Sequence, residues 1–74
     1  MIVAATYPLA QRAAGAAKLA AMAANAMGFS PSLVSAAADV AARAVLDQRA
    51  SAGRAIADVR KSLRRMLRAQ GGAA

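Results

Sequence analysis

An all-α fold is predicted by three observations on this chain. Ala and other strong helix formers dominate it, Pro occurs only at positions 8 and 31, and the apolar positions of the second half recur with the 3.6-residue period of a helix. The expected architecture is a helical hairpin: a short Ala-rich first helix, a long amphipathic basic second helix, and stabilisation by packing between copies.

Each element has a local reason. Residues 1–7 are apolar and partly β-branched and read as an extended segment, which Pro8 ends while offering a favourable first helical position. From 8 to 27 nearly every residue favours helix, with Gly15 and Asn25 the exceptions, and this is the first helix. Residues 28–32 form the turn: Gly28 suits a C-terminal cap, Ser30 an N-cap, and Pro31 the first turn of the second helix. Between 31 and 69 there is no further Pro and Gly53 is the only Gly, so the second helix is expected to run unbroken, with a three-helix monomer bent at Gly53 as the less favoured alternative. The Gly-Gly-Ala-Ala end makes 70–74 a flexible tail.

The composition limits what such a fold can do alone. A domain of 74 residues has little net stability to spare, and without Cys or His it has no disulfide and no expectation of a conventional zinc or haem site. Its 59% hydrophobic content overstates the core, because much of it is Ala and only one Phe and one Tyr are present. Oligomerisation or partner binding is the remaining source of support. On the first helix the small-residue strip expected to receive a neighbour is Gly15, Ala16, Leu19, Ala23 and Ala26. A transmembrane reading ranks lower: 13–29 carries Lys18 and is apolar mainly through Ala, and 33–46 carries Asp39 and Arg43. No basic segment leads into a long apolar stretch at the N-terminus, so no secretory signal is expected, and a virion or cytoplasmic location is favoured.

Charge carries the functional signal. Ten Lys and Arg against three Asp give +7 and a pI near 11.8, which favours polyanionic partners. On a wheel of about 100° per residue, Val34, Ala38, Ala41, Val45, Ala52, Ile56, Val59, Leu63, Met66 and Leu67 share one face of the second helix. Arg43, Arg54, Lys61, Arg65 and Arg68 lie opposite, with Arg64 on the shoulder; Arg60 adds to the same cluster. From Gly53 to Arg68, six basic residues face the single acid Asp58, a local +5. The expected polyanion-binding residues are therefore Arg43, Arg54, Arg60, Lys61, Arg64, Arg65 and Arg68.

Length points to a partner. The first helix spans about 30 Å and the second about 57 Å, so a hairpin leaves the far part of the second uncovered. Ile56, Val59, Leu63, Met66 and Leu67 would then form an interface with another copy or lie on a membrane. Catalysis is not expected, since His, Cys and Glu are absent and no Ser stands in a nucleophile motif. The reading is a non-enzymatic structural subunit of a virion or filament-like particle, needing no cofactor, with a basic C-terminal helix toward nucleic acid. A peripheral protein on anionic membrane, or a small sequence-nonspecific DNA-binding protein, is the alternative. In its short, Ala-rich, helical plan with a basic C-terminal end the chain resembles the small coat proteins of filamentous bacteriophages. It departs from them in lacking an acidic N-terminal segment and an uninterrupted apolar centre.

Overall fold

The computed structural model describes residues 2–72, and the side-chain surroundings of 8–70. It is all-helical, with no strand among the described residues, and has three helices: α1 (Ile2–Ala26), α2 (Pro31–Gln48) and α3 (Ala52–Gly72). Two boundaries differ from expectation. Helix α1 starts at Ile2, with Pro8 inside it, so most of the expected extended segment 1–7 is helical; the missing Pro N–H leaves the Ala4 carbonyl without its usual helical donor. The expected tail 70–74 is helical as far as Gly72, while Met1, Ala73 and Ala74 lie outside the described residues.

The expected turn forms for the anticipated reasons, but it spans 27–30, because Pro31 and Ser32 already belong to α2. Gly28 takes a positive φ of 88°, Phe29 N–H donates to the Ala24 carbonyl at 3.1 Å, and the Ser30 hydroxyl accepts from Leu33 N–H at 3.4 Å ahead of Pro31.

The long second helix is replaced by α2 and α3. The break lies at 49–51, not at Gly53, which sits inside α3 with nothing within 4 Å of an added Cβ. Arg49 ends α2 in the left-handed region at φ 56°, and Ala50 N–H donates back to the Ala44 carbonyl at 3.0 Å. Ser51 then caps α3, its hydroxyl accepting from Arg54 N–H at 3.1 Å. A non-Gly residue in that conformation costs about 1–2 kcal/mol. Folding α3 back buries Val59 and Leu63, each favourable by about 1.5–3 kcal/mol. The gain exceeds the strain, and the helix breaks.

All three helices contribute to one core. Ala13, Ala16, Ala20 and Ala24 from α1 meet Ala37, Ala41 and Val45 from α2 and Ala55, Val59 and Leu63 from α3. The buried strip of α1 is thus rotated from the expected one: Ala16 belongs to it, but Gly15, Leu19 and Ala26 are exposed and Ala23 is half-buried. Seven of these ten core residues are Ala, and the largest fully buried side chain is Val45. Methyl groups let the helices approach closely but remove little apolar area from water.

The molecule is long and thin, 55 × 19 × 14 Å, with a radius of gyration of 13.6 Å where a compact chain of this length would have about 11 Å. Its 5180 Å² of accessible surface is about 1000 Å² more than a compact monomer of this mass exposes.

Since an added Cβ at Gly15 meets nothing within 4 Å, Gly15→Ala is expected to stabilise the chain by about 0.5–1 kcal/mol through helix propensity alone. Chemical denaturation followed by circular dichroism would read this as a higher midpoint. A lower midpoint would mean that α1 packs through Gly15 after all.

Candidate polyanion-binding surface

Helix α3 divides into two faces by burial. Ala55, Val59 and Leu63, four residues apart, point into the core with Ile56 half-buried beside them. Arg54, Lys61, Arg64, Arg65 and Arg68 project from the opposite side, and all are exposed. Arg60 stands at the edge of this stripe, where it lines a shallow groove between α1 and α3 with Leu19, Met22 and Ile56. From Arg64 to Gln70 every residue is exposed, so the last two turns form an arm beyond the core that carries Arg64, Arg65 and Arg68.

The stripe has almost no internal neutralisation. One ion pair forms among the described residues, Arg54 Nε to Asp58 Oδ2 at 3.9 Å, with both side chains over two-thirds exposed, and such a pair contributes little. Arg60 with Arg64, Lys61 with Arg65, and Arg64 with Arg68 are spaced i,i+4, a repulsive arrangement costing about 0.2–0.5 kcal/mol per pair. A bound polyanion relieves that cost as it supplies counter-charge. Charge is also polarised among the helices: α3 holds six basic residues and one acid, whereas α2 holds Arg43 between Asp39 and Asp47.

Two expected groupings change. Arg43 is separated from the stripe because it belongs to α2; it lines a cleft between α2 and α3 that also includes Asp58. The five residues expected as an interface with another molecule also divide. Val59 and Leu63 are core residues of this chain and Ile56 packs against that core, so the bend at 49–51 covers them without a partner. Met66 and Leu67, each 37% exposed, remain at the base of the arm. The α2–α3 cleft was missed because it exists only once the second helix is broken.

No helix among the described residues is long and apolar enough to cross a membrane. The chain matches no protein-family model, and neither the curated proteins nor the solved structures contain a significant match to it.

Proposed function

We propose that this chain is a non-enzymatic structural subunit of a larger assembly, of the virion or filament kind, in which α3 lies against nucleic-acid phosphates. The observation that carries the nucleic-acid half of this reading is the division of α3. Its apolar face is used inside the fold as far as Leu63, and its basic face is exposed with one acid among six cations. A regular duplex offers a matching line of phosphates and requires no base-specific contact. The only aromatics, Tyr7 and Phe29, lie outside α3, which argues against recognition by stacking on unpaired bases.

An anionic membrane surface is the competing partner, favoured by Met66 and Leu67 beside Arg64, Arg65 and Arg68. It is supported less well. A helix lying in headgroups must give its apolar face to lipid, and here Ala55, Val59 and Leu63 would first have to leave the core.

The test is binding of the purified chain to duplexes of unrelated sequence across a salt series. About six phosphate contacts give a slope of log affinity against log salt near −5, equal for all sequences. A slope near zero, or binding confined to vesicles of anionic lipid, would reject the nucleic-acid reading. Electron microscopy of the same mixtures would show regular particles if the chain is an assembly subunit.

A further inference from the structure

Between α2 and α3 runs an open, mainly apolar cleft of about 460 Å³, walled by Leu33, Val40 and Ala44 on one side and Val59, Leu63 and Met66 on the other. We infer that this cleft is the site where a second copy of the chain docks, about a two-fold axis, with each copy's Val40 seated in the other's cleft and each Arg43 facing the other's Asp58. The inference rests on the assembly half of the function proposed above and is independent of the nucleic-acid half.

Three features favour a second copy as the occupant. The cleft carries its own knob: Val40 lines it yet is 59% exposed, and a patch holding both projection and hollow is what a two-fold contact requires. The charges are self-complementary as well. Arg43 on α2 and Asp58 on α3 line opposite walls, so a two-fold axis running along the cleft brings each to its opposite sign. Asp58 meets Arg54 only at 3.9 Å and on the surface, which leaves it able to take a second partner.

The third feature is area and overall charge. The surface beyond that of a compact monomer, about 1000 Å², is comparable with the roughly 800 Å² per partner that a stable complex buries. Two chains of net charge +7 repel, and the cleft walls hold one cation and one anion, whereas the back of α3 holds a row of cations. The cleft side is the approach of least repulsion. Four helices, two from each copy, would meet there and leave both basic stripes facing outward.

Sedimentation equilibrium of the full chain without nucleic acid tests this. The wild type should dimerise, and Val40→Gln should weaken the dimer on the order of tenfold or more. Arg43→Asp and Asp58→Arg should each weaken it by a similar factor, and the double variant should recover most of the loss, because the swap restores both pairs. All three positions are exposed, so circular dichroism should show the helices intact in every variant. A wild-type dimer unchanged in all variants would overturn the cleft as the interface and leave the assembly reading standing. Single charge variants that weaken the dimer without rescue in the double would overturn the two-fold pairing. A wild type that stays monomeric at high concentration would overturn the assembly reading and the dimer together.

Discussion

Replacing Arg60, Lys61, Arg64, Arg65 and Arg68 together by Gln is expected to lower duplex affinity by about a thousandfold at low salt and to flatten its salt dependence. Each neutralised phosphate releases condensed counterions and contributes about −0.9 to the slope, so removal of five contacts takes a slope near −5 to about −1. Arg54 would remain, already facing Asp58. The fold should survive, because all five side chains are exposed and none belongs to the core. Helix content should hold or rise, since three repulsive i,i+4 pairs disappear and Gln is a good helix former. Fluorescence anisotropy over a salt series, with circular dichroism on the same samples, reads both effects. Equal binding by the variant and the wild type would make the stripe a solvated face that only keeps an Ala-rich chain soluble.

That surface was legible in the sequence because exposed charge needs only a helical period to be placed. The spacing of Lys61, Arg65 and Arg68 puts them together on one helix face whatever the rest of the chain does. The same period failed for Arg43, since adding it to the stripe required the helix to continue through 49–51, where Arg49 adopts a left-handed conformation that sequence rarely signals for Arg. Ser51 is of a residue type suited to an N-cap, but no Glu or Gln stands three positions later to mark it as one. On α1 the difficulty was of another kind. With Ala on every side, a wheel gives no preferred direction, and of the expected strip only Gly15 and Leu19 differ in size from the Ala around them. The three-dimensional fit instead chose the all-Ala row Ala13, Ala16, Ala20 and Ala24. The turn at Gly28 and Ser30 was readable because its cues are local and leave little choice to tertiary packing.

Leu63→Ala is expected to cost about 2–4 kcal/mol, enough to unfold a substantial share of so small a domain at about 25 °C. Leu63 is 3% exposed and is the only Leu in a core made mostly of Ala. Neighbouring methyl groups cannot extend into the space it would vacate, so little of the lost contact is recovered by repacking. Leu67, four residues on and 37% exposed, provides the comparison; its replacement by Ala should cost less than about 1 kcal/mol. The contrast separates two origins of stability for α3. If α3 folds back onto its own chain, most of the Leu63 loss persists at concentrations too dilute for dimers, and only the part that weakens the cleft contact depends on concentration. If instead its apolar face is covered only by another molecule, Leu63→Ala and Leu67→Ala would have similar costs, and both would vanish on dilution. Denaturant titrations of the two variants over a roughly hundredfold range of concentration decide between these outcomes. An effect that vanished on dilution would return Val59 and Leu63 to an intermolecular interface and remove the reason for the break at 49–51, because the strained Arg49 would then have no buried side chains to offset it.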